Sequence, residues 1–171
     1  MNHIVLYAPE IPQNTGNIMR TCVATNTILH LIKPLGFSLE EKYLKRSAAN
    51  YLEHLVYHVY ENFDEFFLKN KGQYYFLTRY GEKSPDQFDF KTSLEDVYLI
   101  FGNESSGMPK PLLMKHLDHC MRLPMTDKVR SLNLSNTAAI IIYEVLRQQG
   151  YPNLITHEPE IYKGKDYLKT E

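Results

Sequence analysis

The chain has 171 residues, 43% of them hydrophobic, and a formal net charge of −1. This length is enough for one compact domain, and two domains would each lack a sufficient core. The near-neutral charge excludes a strong overall basic field, so any nucleic-acid-binding patch must be local and balanced by acidic residues elsewhere.

Short apolar runs rich in β-branched residues alternate with helical patterns along the chain. The runs are nearly continuous in apolar character, which is typical of strands buried on both faces. The predicted strands are His3–Tyr7, Ile28–Ile32, Leu55–Tyr60, Tyr74–Thr78, Val97–Phe101 and Cys120–Leu123. The predicted helices are Asn17–Thr25, Leu39–Ala48, Asn62–Asn70, Lys110–Lys115 and Leu132–Gln149. This alternation predicts an α/β fold with a mostly parallel sheet and helices on both faces.

A polar stretch with chemical potential follows the first predicted strand. Residues 9–20 read Pro-Glu-Ile-Pro-Gln-Asn-Thr-Gly-Asn-Ile-Met-Arg. Asn14 or Thr15 is a natural N-cap for the helix that follows. Arg20 would lie near the start of that helix, close to the carboxyl end of a strand, where open α/β sheets bind ligands. It is either a solvated surface arginine or a group that handles a base or a phosphate.

The second such stretch follows the fifth predicted strand. Residues 101–109 read Phe-Gly-Asn-Glu-Ser-Ser-Gly-Met-Pro, and the two glycines allow the backbone to approach a ligand closely. The spacing matches neither the dinucleotide-binding nor the triphosphate-binding glycine signature. An ordinary turn between a strand and a helix remains the alternative.

The third stretch leads from the last predicted strand into the last helix. Ser131, Asn133 and Ser135 are strong capping residues, and together they exceed what one helix needs, although a well-capped helix remains the alternative. The helix itself is apolar well beyond one stripe, which predicts that a second subunit covers its outer side. Gly150 followed by Pro152 predicts its end.

The remaining features indicate a cytoplasmic protein without a metal. The first seven residues lack the basic start and long apolar run of a signal peptide, and no stretch is long enough to span a membrane. Cys22 and Cys120 have no zinc-type spacing, and no ligand set joins the histidines, so we expect reduced thiols and no metal. Residues 153–171 are predicted to be a polar tail after a single domain over residues 1–152.

Together and in this order, the three stretches resemble the motifs of the SPOUT-class RNA 2′-O-ribose methyltransferases, the TrmH/SpoU superfamily. The likeness is carried by Asn14–Arg20, by the Phe-Gly-x-Glu-x-x-Gly-x-Pro pattern of residues 101–109 and by Arg130–Asn136. Within that class the chain is most similar to the small tRNA wobble-position enzymes of the TrmL/YibK type. Asn103 stands where proline or serine is common in the family, and Ser106 where arginine is often found.

The resemblance implies a fold, a cofactor and an activity. The fold is a parallel α/β sheet with a C-terminal trefoil knot, paired into a homodimer through the first and last helices. The activity is methyl transfer from S-adenosyl-L-methionine to the ribose 2′-hydroxyl of the wobble nucleotide, cytidine or a modified uridine, of leucine tRNAs. The alternatives are another tRNA or rRNA site, or a non-catalytic RNA-binding dimer of the same fold.

The resemblance also assigns residues to roles. The cofactor positions are Leu77, Thr78, Gly102, Leu123, Met125, Ser131, Leu132 and Asn133, and the catalytic positions are Arg20, Asn14 and Glu104. Because a guanidinium rarely acts as a base, we expect Arg20 to bind the adjacent phosphate and stabilise the developing alkoxide. Asn14 would orient Arg20 or the ribose, and Glu104 would pair with Arg20. The sequence itself offers candidate RNA contacts: Lys45 and Arg46 share one short helical pattern, and Lys128 and Arg130 share one loop, with an ordinary solvated face as the alternative for each pair. Tyr143 is a further candidate, which could instead belong to the dimer interface.

Overall fold

The fold is built on one sheet of parallel strands. The computed structural model describes residues 1–39, 49–92 and 94–169. The strands are β1 (Asn2–Tyr7), β2 (Ile28–Ile32), β3 (Tyr57–Tyr60), β4 (Gln73–Leu77), β5 (Val97–Phe101) and β6 (Cys120–Met121). They lie in the order β3-β2-β1-β5-β4-β6, and every pairing between them is parallel. The predicted fold class and all six predicted strands are confirmed, with some strand ends shifted by one or two residues.

Helices cover both faces of this sheet. They are α1 (Pro12–Ala24), α2 (Phe63–Lys69), α3 (Lys110–Met114) and α4 (Leu134–Gln149). Side chains alternate along each strand, so Ile4 and Leu6 pack with α1 and α4, whereas Val5 packs with Phe66 of α2. Short 3-10 turns lie at Ala49–His54, Pro85–Gln87 and Leu117–His119. Most of the predicted helix Leu39–Ala48, with Lys45 and Arg46, lies outside the described residues.

The first helix begins five residues earlier than predicted. Pro12 occupies its first position, where a missing backbone N–H costs nothing and the fixed φ angle of proline suits the helix. Asn14 and Thr15 therefore lie inside the first turn and are only 5% and 1% exposed, so the prediction that one of them is the N-cap is wrong. The early start moves the Asn14 side chain into the interior, where its amide needs partners.

The last helix has well-formed ends. The Asn133 side chain accepts hydrogen bonds from the backbone N–H groups of Ser135 and Asn136, at 2.9 and 3.3 Å, so Asn133 is the N-cap. Gly150 has a φ of 76° at the carboxyl end, as the sequence predicts. Residues beyond Pro152 form turns up to residue 169, and the predicted domain boundary stays a prediction.

The segment between β4 and β5 forms hydrogen bonds with the residue that follows β6 and with the end of α4. The Arg122 N–H donates to the Lys83 carbonyl at 2.9 Å, just beyond β6. Farther along, the Phe90 N–H donates to the Gln148 side chain at 3.1 Å, and the Gln149 amide donates to the Phe90 carbonyl at 3.3 Å. These contacts are compatible with the trefoil knot that the family resemblance implies. The threading itself stays a prediction.

Buried histidines join three neighbouring strands. His3 and His30 share a hydrogen bond of 2.9 Å, and His30 also bonds the Tyr60 hydroxyl at 2.9 Å. Burial lowers the pKa of His3 to about 4, against a smaller opposing effect of Asp96. Burial, together with the neighbouring His3 and His58, lowers the pKa of His30 to about 3. Both rings are therefore neutral in the folded protein at physiological pH.

This network predicts a loss of stability in mild acid. A histidine in the unfolded chain titrates near its ordinary pKa of 6.5, so below that pH the unfolded chain binds protons that the folded chain does not. Between about pH 7.5 and pH 5, His30 alone should remove about 2 kcal/mol of unfolding free energy. His30→Asn should be less stable at neutral pH but lose less on acidification, as urea unfolding would measure. His157→Asn, which alters an exposed histidine, should stay as stable as the original chain at neutral pH.

Candidate active site

The three motif stretches meet at the carboxyl edge of the sheet, around a cavity of about 580 Å³. This volume lies within the usual range of small-molecule sites. Every predicted cofactor position lines the cavity: Leu77, Thr78, Gly102, Leu123, Met125, Ser131, Leu132 and Asn133. Asn14, Glu104 and Arg130 line it as well. The parallel topology explains the convergence, because the carboxyl ends of neighbouring parallel strands face the same edge.

The cavity combines apolar walls with a few polar groups. The buried side chains of Phe101 and Met121 form part of its lining, and Leu77, Leu123 and Met125 are half-buried beside them. Ser131 and Asn133 add hydroxyl and amide groups from the stretch before α4. Such a lining can hold a flat aromatic base against its apolar part and fix a polar ligand at the other groups.

Gly102 allows two segments of one loop to touch. A Cβ at this position would lie 2.3 Å from the carbonyl carbon of Gly107. Asn103 and Gly107 form a reciprocal backbone pair, each N–H donating to the other's carbonyl at 3.1 Å. The Asn103 side chain closes the loop further by accepting from the N–H of Ser106 at 2.7 Å and of Gly107 at 2.9 Å. A larger residue at 102 would therefore force the cavity wall open.

Two carboxylates clamp the first and second stretches together. Glu104 accepts hydrogen bonds from the N–H groups of Glu10 and Ile11 at 2.9 and 3.1 Å. In return, the Glu10 carboxylate accepts from the N–H and the hydroxyl of Ser105 at 3.1 and 2.7 Å. The N–H groups just before a helix have no partner within it, so a carboxylate is favourable there.

A third link ties this clamp to the last helix. The buried Asn14 donates its amide to Glu104 at 3.1 Å and accepts from the Asn133 amide at 2.9 Å. Asn133 in turn caps α4. The amide of Asn14 is the group that can both donate to a carboxylate and accept from a second amide. One hydrogen-bonded row therefore joins all three stretches.

Arg20 lies away from Glu104, its expected partner. It lies on the exposed side of α1, with its guanidinium carbon 5.4 Å from the centre of the Tyr51 ring, and it does not line the cavity. The helix rises about 9 Å between Asn14 and Arg20. The expected pairing of Glu104 with Arg20 is therefore wrong, because Glu104 binds the start of α1 instead.

The other candidate RNA contacts divide between the cavity and the surface. Arg130 lines the cavity, whereas Lys128 is exposed in the same loop without lining it. Tyr143 is 47% exposed on α4. Arg79 and Arg122 also line the cavity, although no sequence motif indicated them. Their position within two residues of the ends of β4 and β6 was the available signal.

Neither a metal site nor a membrane helix is found in the part of the chain that the structure describes. Its acidic, histidine and cysteine side chains form no group of three or more that could bind a metal ion. None of its helices has the length and apolar character needed to cross a membrane. Cys22 and Cys120 are free and buried, and burial raises the pKa of both thiols.

Known proteins similar to this chain share both sequence and fold. Residues 1–143 match the SpoU rRNA Methylase family. A Bacillus subtilis protein, provisionally named a tRNA (cytidine(34)-2′-O)-methyltransferase, is 54% identical over 155 residues, covering 89% of this chain and 96% of its own length. A Methylovorus glucosotrophus protein named a tRNA (cytidine(34)-2′-O)-methyltransferase is 44% identical over 157 residues, covering 91% of this chain and all of its own (100%).

Solved structures of methyltransferases are also similar to this chain. One concerned with the 2-OH methylation of C/U34 on tRNA aligns with a TM-score of 0.81 at 38% identity, covering 88% of this chain and 97% of the other. An AdoMet-bound rRNA methyltransferase from Sinorhizobium meliloti aligns with a TM-score of 0.75 at 23% identity, covering 85% of this chain and 56% of the other. At 23% identity, the similarity to the Sinorhizobium meliloti protein shows a shared fold alone.

Proposed function

The chain belongs to the SpoU rRNA methylase family, and from this membership we propose that it transfers a methyl group from S-adenosyl-L-methionine to the ribose 2′-hydroxyl of nucleotide 34 of a tRNA. In finer detail, we propose leucine tRNAs as substrates, with cytidine or a modified uridine at the wobble position. The observation that supports this most is the cavity, which gathers all the residues that the family resemblance assigns to the cofactor.

The cavity fits S-adenosylmethionine in size and in lining. Leu77, Leu123 and Met125 offer an apolar wall for the adenine. Gly102, which has no side chain, packs closely against the Gly107 backbone and leaves the cavity beside the adenine open. Thr78, Ser131 and Asn133 offer polar groups for the ribose and the amino acid part. When bound, the cofactor supplies a methyl group made electrophilic by its sulfonium.

Arg20 is proposed to act on the RNA. A ribose 2′-hydroxyl is a poor nucleophile that must lose its proton as it attacks. The guanidinium stays protonated, so it can bind the neighbouring phosphate and stabilise the alkoxide that develops on the 2′-oxygen. A phosphate oxygen or a water molecule accepts the proton. This role agrees with the exposed position of Arg20 outside the cavity.

Asn14 and Glu104 are proposed to be positioning residues. Their hydrogen bonds connect the start of α1 to the loop of Gly102 and to the N-cap of α4. Arg20 lies farther along the same helix. A rigid connection of this kind would keep the acceptor side of the site at a fixed distance from the cofactor side. Lys45, Arg46, Lys128, Arg130 and Tyr143 remain the proposed RNA contacts.

The experiment that tests the activity maps the methyl group. The purified protein is incubated with labelled S-adenosylmethionine and with total tRNA and rRNA from cells that lack the protein. Nuclease digestion and mass spectrometry then locate the label, which we expect at nucleotide 34 of leucine tRNAs. Label at another tRNA or rRNA position would favour the alternative substrates. Binding of RNA and cofactor without transfer would favour the non-catalytic dimer.

We also propose a homodimer through α1 and α4. These helices pack against each other, and α4 exposes Ile140 (46%) and Tyr143 (47%) on its outer side. Burying such an apolar surface against a second copy would be favourable. Because Arg20 also lies on an exposed side of α1, this pairing would place it at or near the subunit interface.

A charge on the outer side of α4 should prevent this pairing. We expect Ile140→Asp to sediment as a monomer in analytical ultracentrifugation while the original chain sediments as a dimer, because an unpaired carboxylate is costly in an apolar interface. Leu68→Asp is the matched control, since Leu68 is 75% exposed on α2 and outside the proposed interface. A monomeric original chain, or a dimeric Ile140→Asp variant, would contradict the proposed interface.

A further inference from the structure

An exposed aromatic ring stands at the cavity, outside the set of predicted cofactor positions. Tyr80 lines the cavity, yet its side chain is 69% exposed. The Arg79 guanidinium lies 4.7 Å from the centre of the Tyr80 ring and donates a hydrogen bond to its hydroxyl. Tyr80 belongs to neither of the two core clusters. The ring therefore contributes little to the core and remains available to a ligand.

A second arginine holds this loop from the neighbouring strand. The Arg122 guanidinium donates to the Arg79 carbonyl at 3.0 Å, and Arg122 itself lines the cavity. β4 and β6 are adjacent in the sheet, which brings residues 79 and 122 together although they are far apart in sequence. The loop carrying Tyr80 is thus fixed by side-chain and backbone contacts to the end of β6.

Within the described residues, the arginines that line the cavity form no ion pair. Over residues 1–39, 49–92 and 94–169, the ion pairs involve cations such as Lys33, Lys69 and Arg147. Arg79, Arg122 and Arg130 take part in none of them. Glu104 also lines the cavity, but its carboxylate accepts hydrogen bonds from Glu10, Ile11 and Asn14. In a chain with a net charge of −1, three guanidinium groups without an ion pair around one cavity form a local site for anions.

We propose that Tyr80, backed by Arg79, is a stacking platform for an unpaired nucleobase of the RNA substrate, and that Arg79, Arg122 and Arg130 bind the phosphates beside it. Aromatic rings and guanidinium planes stack on bases that are splayed out of single-stranded loops, whereas a base inside a duplex cannot reach them. Guanidinium groups also suit phosphate oxygens. The platform therefore selects RNA whose target nucleotide lies in a loop. This inference rests on the proposed function, which makes RNA the substrate.

The test compares RNA binding by the full chain and by matched variants. The probe is a fluorescent anticodon stem-loop RNA, and a duplex RNA of equal length serves as the comparison. Tyr80→Ala should weaken stem-loop binding about tenfold, because base stacking contributes on this scale. Tyr80→Phe should stay within about twofold of the original. Arg122→Ala should make the slope of log affinity against log salt concentration shallower, by about the amount that one phosphate contact contributes.

Tyr167→Ala is the matched control for the platform. Tyr167 is 53% exposed and also has a cation over its ring, Lys163 at 4.3 Å, but it lies in the C-terminal turns and not at the cavity. Its replacement should leave stem-loop binding unchanged. Circular dichroism and thermal unfolding establish that Tyr80→Ala remains folded.

The outcomes separate the platform from the wider proposal. Unchanged stem-loop affinity in Tyr80→Ala, with normal methylation by the original chain, would overturn the platform alone. A loss of S-adenosylhomocysteine affinity equal to the loss of RNA affinity would also overturn it, because the ring would then belong to the cofactor site. Cofactor binding by the original chain without any RNA binding would overturn both the platform and the proposed function.

Discussion

Replacing Arg20 with alanine should lower methyl transfer to tRNA by at least about a hundredfold, the scale seen when one group that stabilises developing charge is removed. The affinity for S-adenosylhomocysteine should stay near the original value, because Arg20 does not line the cavity. Arg20→Lys should recover only part of the rate, since an ammonium keeps the charge but not the planar pair of donors. Single-turnover assays and titration calorimetry measure the two quantities separately.

The control for Arg20 is another exposed cation. Lys69→Ala removes the ion pair of Lys69 with Glu65 on α2, at 2.6 Å, and should leave the transfer rate unchanged. Full activity of Arg20→Ala would remove this residue from the mechanism. A parallel loss of rate and cofactor affinity would mean that Arg20 supports the fold of the cavity and does not act on the RNA.

Gly102→Ala should lower cofactor affinity by at least about tenfold. The added methyl group would lie 2.3 Å from the Gly107 backbone, which no side-chain rotation can relieve. The reciprocal hydrogen bonds between Asn103 and Gly107 would have to give way, and the cavity wall with them. Calorimetry with S-adenosylhomocysteine gives the affinity, and thermal unfolding shows whether the variant is folded.

Gly150→Ala separates this effect from a general cost of replacing glycine. Gly150 has a φ of 76° and open space around its Cβ position, so alanine there should cost about 1 kcal/mol of stability and leave cofactor binding intact. A Gly102→Ala variant that binds cofactor as tightly as the original would show that the close approach at this loop does not shape the site.

The fold and the place of the cavity were predictable because they depend on local patterns. Continuous apolar runs mark parallel strands, and the ends of such strands meet at one edge. The family resemblance implies the cofactor positions, and Gly102, Asn133 and the others of that set all line the cavity. The apolar width of α4 likewise indicated its exposed outer side, with Ile140 and Tyr143.

The side-chain partners were not predictable, because they depend on distances between segments far apart in the chain. A shift of five residues in the start of α1 turned Asn14 from a cap into a buried link and exposed two N–H groups to Glu104. The contact of Arg122 with the loop after β4 depends on those two strands being neighbours, with Phe76 opposite Cys120. Periodicity along one segment carries no information about such a pairing.

We propose that the methyl donor and the acceptor ribose meet at the carboxyl edge of this sheet. A crystal structure with S-adenosylhomocysteine and an anticodon stem-loop would show whether they do. We expect the donor between Leu77, Gly102 and Asn133, with the nucleotide-34 ribose facing its sulfur and a phosphate bound by Arg20. A donor bound elsewhere on the protein, or an Arg20 guanidinium in bulk solvent far from the bound ribose, would contradict the claim.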